Sequence, residues 1–169
     1  MNQISFFNQD NNKLCLVTDS NVQILEIDKA NKKINSVKCN LGSIKRSFTC
    51  LALQSNDEHI FAGTKTGDIM EIHVKSTNFK RIGPSKCLFA QGVKVVTCLP
   101  NDDLIIGAGD GTLAKLNIKT MNIKCATQVL GGVTSVAYTS DASHFFCGTS
   151  QVSFLATKNL IVQYILGRF

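Results

Sequence analysis

Residues 59–69 read HIFAGTKTGDI, residues 104–113 read LIIGAGDGTL, and residues 144–150 read HFFCGTS. An apolar doublet, a pair of small residues and a glycine- or serine-bearing turn are thus written three times. Two structures could require this. A nucleotide-binding fingerprint needs a strand before the glycines and a helix after them, because the helix N-terminus supplies the N–H groups that hold phosphate. A tight β-hairpin needs only residues that accept positive φ. After GAGDG comes TLAKLNIKT, which alternates apolar and polar residues with the period of a strand. No P-loop lysine follows the glycines. The stretch predicts a hairpin, with Gly67 and Gly111 in its positive-φ positions.

Working outward, other markers keep a similar beat. SFTCLAL (47–53), VVTCLP (95–100) and GVTSVAY (132–138) align on Thr49, Thr97 and Thr134, with spacings of 48 and 37 residues. Cys39, Cys87 and Cys125 each end a strand-like run and are followed shortly by a glycine (Gly42, Gly92, Gly131), at spacings of 48 and 38. The small-residue pair itself aligns Gly63, Ala108 and Gly148. A fainter copy, KLCLVTDSNVQILEI, lies at 13–27, with Thr18 in the place of Thr64. A period of about 40–48 residues fits four-stranded propeller blades or helical arrays. The Val, Ile, Thr and Phe runs divided by Gly, Asn and Asp clusters favour strands. No window shows a 3.6-residue stripe. The fold expected is all-β, a partial β-propeller of about four blades, at approximately 5–43, 44–91, 92–130 and 131–169.

Chemistry finds little purchase here. His59 and His144 share one repeat position and are expected to fix the turn before a strand. His73 is expected on the polar face of its strand. The acid pairs Asp57-Glu58 and Asp102-Asp103 occupy the same inter-strand turn, where turn chemistry accounts for them. The seven cysteines contain no C-x-x-C pair and read as small buried hydrophobes. No catalytic residue, cofactor or metal site is expected. The start, MNQISFFNQDNNKL, has no basic segment followed by an apolar one, and no apolar run reaches the ~18 residues of a membrane span. A cytosolic chain that binds neither membrane nor nucleic acid is expected.

The formal net charge is +6 over 169 residues. Its short clusters, Lys32-Lys33, Lys45-Arg46 and Lys80-Arg81, are the candidate partner-binding residues, since a basic surface favours acidic partners.

The beat, the glycine hairpin and the leading threonine strand resemble the WD-repeat family. No tryptophan is present, so the family's closing dipeptide is missing from every unit, and the usual Gly-His entry is missing too, leaving Gly alone at 42, 92 and 131–132. The order GTKTGDI, RIGPSK, QGVKVVTCL, LGGVTSVAY is similar to that of axonemal members over about residues 45–150. That resemblance implies a structural microtubule inner protein of ciliary doublets. It would lie in the B-tubule lumen near the inner junction, bind tubulin and neighbouring inner proteins, and catalyse nothing. It implies residence in the cytoplasm, cytoskeleton and ciliary axoneme. The alternative is a general WD-repeat scaffold or adaptor acting outside cilia. Four blades leave two open faces. Either missing blades of a longer protein or a further chain is therefore expected to cover them.

Overall fold

A computed structural model describes residues 2–85, 88–151, 155–158 and 161–163. Sixteen strands follow one another, and no helix occurs among the described residues. The first sheet holds β1 (Gln3–Phe6), β2 (Lys13–Val17), β3 (Val22–Asp28) and β4 (Lys33–Lys38). The second holds β5 (Phe48–Leu53), β6 (His59–Thr64), β7 (Ile69–His73) and β8 (Asn78–Gly83). The third holds β9 (Val93–Cys98), β10 (Asp103–Ala108), β11 (Thr112–Asn117) and β12 (Ile123–Gln128). The fourth holds β13 (Val133–Tyr138), β14 (His144–Thr149), β15 (Leu155–Lys158) and β16 (Ile161–Gln163). Each sheet is a four-stranded antiparallel meander in chain order. This is the blade of a propeller, as the repeat predicts.

The hairpins explain the opening motif. Gly67 and Gly111 both have φ +89°, and strand β11 begins immediately after Gly111. The Asp110 carboxylate accepts the Thr112 N–H at 2.9 Å, so GAGDG closes upon itself as a turn between strands. The small residue before the turn has a separate cause. A Cβ on Gly63 would stand 2.6 Å from Val93 Cγ1, and one on Gly107 would stand 2.4 Å from Val133 Cγ1. Both valines open the first strand of the next blade. Glycine is therefore the socket into which the following blade's valine fits.

Pairing corrects the alignment of the markers. A β-bulge lies between Phe48 and Cys50, and another between Val133 and Ser135. In β9 the skipped residue is Lys94, since Val93 pairs Ala108 and Val95 pairs Gly107. Lys94, not Thr97, is thus the counterpart of Thr49 and Thr134, and Gly107, not Ala108, is the counterpart of Gly63. Loops of unequal length between the blades displaced the sequence register by one to three residues. The cysteine marker also dissolves. Cys39 directly follows β4, whereas Cys125 lies inside β12 opposite Lys115. Cys87 lies outside the described residues.

The core lies between the sheets. Phe48, Leu51 and Ile60 of the second sheet meet Cys15, Val17 and Val22 of the first. Phe61 and Ile69 meet Val93 and Val96 of the third, and Ile105 and Leu113 meet Val133 and Phe145 of the fourth. An inner blade is therefore covered on both faces. Strand β7 therefore shows no alternation of buried and exposed side chains over Ile69, Met70, Glu71 and Ile72, which are all buried. His73, half-buried at the strand end, is tied through Nδ1 to Ser76 Oγ at 3.0 Å. Outermost strand β4 is exposed along its whole length.

Polar ties repeat with the blades. The Thr49 hydroxyl spans two of them, reaching the carbonyls of Gly63 at 3.1 Å and Val93 at 2.5 Å. Asp57 and Asp102 hold equivalent left-handed turn positions, each at φ +58°. Each carboxylate also receives the preceding blade. Asp57 accepts the N–H groups of Asn8 at 3.0 Å and Gln9 at 2.8 Å, and Asp102 accepts the Gln54 amide at 2.9 Å. Turn chemistry alone does not account for them; they clasp neighbouring blades.

Candidate partner-binding surface

The rim that carries the connectors into each first strand, together with the hairpins between second and third strands, holds a basic cleft. It measures about 340 Å³ and is lined by Lys45, Arg46, Ser47, Lys65 and Thr66. The meander topology forces this meeting. The connector before β5 and the hairpin after β6 leave the second sheet on the same rim. Arg46 Nε donates to the buried Asp68 carboxylate at 2.8 Å, and the Thr64 hydroxyl donates to its other oxygen. This ties the connector to the hairpin and neutralises the guanidinium. Two ammonium groups remain. Lys45 is exposed and forms no ion pair among the described residues. Lys65 is 62% exposed and meets Asp19 at 3.6 Å. The Asn2 amide and then the Lys65 ammonium hold the Asp19 carboxyl below its ordinary range. Further along the rim, a cleft of about 410 Å³ is lined by Lys94, Gly109, Gly132, Val133, Thr134 and Ser150.

The six sequence candidates fall in three places. Lys32 (φ +52°) lies in the exposed β3–β4 turn, and Lys33 opens β4. Lys45 and Arg46 lie in the cleft just described. Lys80 and Arg81 lie on β8, where Arg81 is drawn inward. Its Nε donates to the buried Glu71 carboxylate, and its two Nη atoms donate to the carbonyls of Lys119 and Ile118 at 2.6 Å each. Arg81 is thus a strut from the second blade to the third. Lys65 and Lys94 were missed, because nothing in a linear reading places the hairpin lysine beside the connector lysine. The blade's topology is the signal that could have found them.

Charge buried in the blades serves packing. Glu71 is 1% exposed and meets Lys80 Nζ at 3.1 Å as well as Arg81. His59 accepts from Lys80 at Nε2, 3.0 Å away, and gives its Nδ1 proton to Gln54 Oε1 at 2.8 Å. Desolvation holds this imidazole below its ordinary range, partly opposed by Glu71. The His59 tie to Gln54 and the His144 tie to Ser143 at 2.7 Å anchor the turn before each strand, as their shared repeat position predicts. In the third blade the buried acid moves from the third strand to the second. Asp103, 2% exposed, begins β10 and meets Lys115 at 3.3 Å and Lys124 at 2.7 Å. It belongs to the strand and its ion pairs, contrary to its reading as a turn residue.

Burial pushes the Cys15 thiol up to about 12 and those of Cys39, Cys50 and Cys98 to about 11. These groups pack as protonated hydrophobes. Among the described cysteines Cys98 is only half-buried and Cys125 is exposed, against the reading of all of them as buried.

Comparison with known proteins places this geometry in context. No family model matches the chain. It is 33% identical over 152 residues to cilia- and flagella-associated protein 52 of Chlamydomonas reinhardtii, covering 88% of this chain and 24% of that protein. It is 30% identical over 130 residues to the Bos taurus protein of that name, covering 77% of this chain and 21% of the relative. With the Homo sapiens protein the identity is 28% over 146 residues, covering 83% and 24%. The chain spans about a quarter of the length of these curated relatives. Among solved structures, a chain of the Mitotic Checkpoint Complex superposes with a TM-score of 0.77 at 12% identity, covering 97% of this chain and 48% of that one. The WD40 beta propeller domain of Doa1 superposes with a TM-score of 0.78 at 13% identity, covering 96% and 53%. At such identities the likeness is one of fold alone.

Proposed function

Because the chain consists of WD-type β-propeller blades and is similar in sequence to cilia- and flagella-associated protein 52, we propose that it is a non-enzymatic structural component of cilia and flagella. The finer reading is a microtubule inner protein that binds tubulin in the B-tubule lumen, near the inner junction of the doublet. The observation that carries the ciliary reading is 33% identity over 88% of the chain to a cilia- and flagella-associated relative. The tubulin reading draws support from charge. The basic cleft presents Lys45 and Lys65 beside one another on an exposed rim, in a chain of net charge +6. Such a surface suits an acidic protein and gains both encounter rate and specificity from it.

The test is made in a ciliated cell expressing the tagged chain. Label in the axoneme that survives moderate salt, and that immunogold places on the inner wall of the B-tubule, is the expected result. Recovery only from the soluble pool would overturn the ciliary reading, and stable capture of partners in unciliated cells would favour a general scaffold. For tubulin itself, the chain is pelleted with doublets opened by mild detergent and salt. Lys45→Glu with Lys65→Glu is expected to weaken pelleting several-fold, and unchanged pelleting would remove the cleft from the interface.

A further inference from the structure

The meander that gathers connectors and hairpins on one rim gathers the remaining turns on the opposite rim. There, in each blade, the turn between first and second strands lies beside the turn between third and fourth. Backbone hydrogen bonds hold the two together. The N–H groups of Ile27, Val74 and Ile118 donate to the carbonyls of Asn12, Glu58 and Asp102 at 2.7, 2.9 and 3.4 Å. First strands of neighbouring sheets also pack on one another, β5 on β9 and β9 on β13, which puts them nearest the centre of the arc. Two concentric rows of turns result. The inner row, between first and second strands, carries acids: Asp10, Asp57, Glu58, Asp102 and Asp141. The outer row carries lysines.

Backbone geometry aligns these outer turns. Lys32, Thr77 and Met121 share a left-handed position, at φ +52°, +55° and +55°. Two places before it stand Lys75 in the second blade and Lys119 in the third. The first blade has Lys29 three places before it, Lys32 at the position itself and Lys33 directly after. All of these lysines are exposed, and none forms an ion pair among the described residues. The acids beside the first of these turns are engaged elsewhere. Asp28 accepts the N–H of Asn31 at 3.0 Å and its side-chain amide at 2.7 Å, and Glu26 meets Lys13 at 3.7 Å. Lys80 and Lys124, on the outermost strands that follow the second and third turns, are bound to the buried Glu71 and Asp103. The turn lysines have no such acid, so their charge faces outward uncompensated.

We propose that this outer row of lysines is a second docking surface, on the rim opposite the Lys45–Lys65 cleft, and that it takes an extended acidic stretch of polypeptide laid across the blades. The lysines come one sheet apart, and stacked sheets stand roughly 10 Å from each other, the length of about three residues of extended chain. A glutamate- or aspartate-rich segment therefore meets a lysine at every blade without needing a fixed register. The acidic row alongside selects for a narrow partner. A broad polyanion such as a nucleic acid duplex would cover both rows and be repelled by the inner one. A single extended chain follows the outer row alone. This inference is independent of the ciliary reading and of the cleft, and survives or fails on its own.

The experiment is fluorescence anisotropy of a labelled oligoglutamate titrated with the 169-residue chain. A peptide of about twelve residues is long enough, in extended form, to cross the three turns. Binding that weakens as salt rises is expected. Lys75→Glu with Lys119→Glu should weaken it on the order of tenfold, two exposed attractions having become repulsions. Lys45→Glu with Lys65→Glu makes the same change of net charge on the other rim and should weaken it about twofold at most. Lys75 and Lys119 are exposed and unpaired, so the far-ultraviolet circular dichroism should not change, and Lys75→Gln with Lys119→Gln should give an intermediate loss. Equal weakening by the two charge-reversed pairs would overturn the proposal, since net charge alone would then govern binding. Absence of binding to the native chain at low salt would overturn it as well. Tighter binding of a DNA duplex of equal charge, lost on Lys75→Glu with Lys119→Glu, would overturn the choice of partner.

Discussion

At Gly63 the absence of a side chain is what lets two blades meet. A methyl group there would stand 2.6 Å from both Cys50 Sγ and Val93 Cγ1. Gly63→Ala is expected to lower stability by about 1–3 kcal/mol, the usual cost of overpacking a filled core. Trimming the mate should recover part of it, so Gly63→Ala with Val93→Ala should lose less than the sum of the two single losses in urea unfolding. The buried thiols carry a second prediction. Folding holds Cys15, Cys39, Cys50 and Cys98 protonated, with values raised from 9.0 to about 11–12. The unfolded chain gives up these protons first as pH rises. Their contribution is therefore whole below pH 9 and is lost progressively as pH rises from there towards the folded values. Urea midpoints should hold steady up to about pH 8 and fall by pH 10.5, and in the native state an aromatic disulfide reagent should label Cys125 well before Cys15 or Cys50. Much at this scale was legible. The positive φ of Gly67 and Gly111 follows from hairpin chemistry alone. The role of Gly107 was not, because its reason for being small is a valine 26 positions away in another blade.

Strands, bulges and clasps explain what the repeat pattern could and could not reveal. Short β-branched runs between Gly, Asn and Asp clusters marked the strands, and the helix test after GAGDG settled their class. Register was harder, since the bulge that places Lys94 opposite no residue of β10 leaves no mark in the sequence. Thr97 therefore stood in for Lys94 in the alignment. Asp57 and Asp102 showed their turn role and hid their second one, since the donors come from the preceding blade. Asp57→Asn keeps the left-handed turn and surrenders one carboxylate acceptor to Asn8 and Gln9. It is expected to cost about 1 kcal/mol and, in hydrogen exchange, to speed opening of the first sheet while leaving the third sheet protected. Uniform acceleration across all sheets would instead mean that the clasp is not local. Replacing Glu71 by Ala strands Arg81 and Lys80, which are 34% and 48% exposed, so water screens much of the loss. A penalty of about 1–3 kcal/mol is expected, below that of a fully buried pair.

Over the whole molecule, stability is carried from blade to blade, as in other repeat architectures whose units contact only their neighbours. A mild basic excess clothes the rim. The distribution of lysines, legible as a count, becomes a surface only when the meanders bring Lys45 beside Lys65. The contact that most directly tests this architecture is the one between a blade's glycine and its neighbour's valine. Nuclear Overhauser spectra of the methyl-labelled chain should show strong cross-peaks from the Val93 methyls to the Gly63 Hα protons and from the Val133 methyls to those of Gly107. Their absence, with the valine methyls contacting only their own sheets, would contradict the stacking of blades on which the fold and the rim both depend.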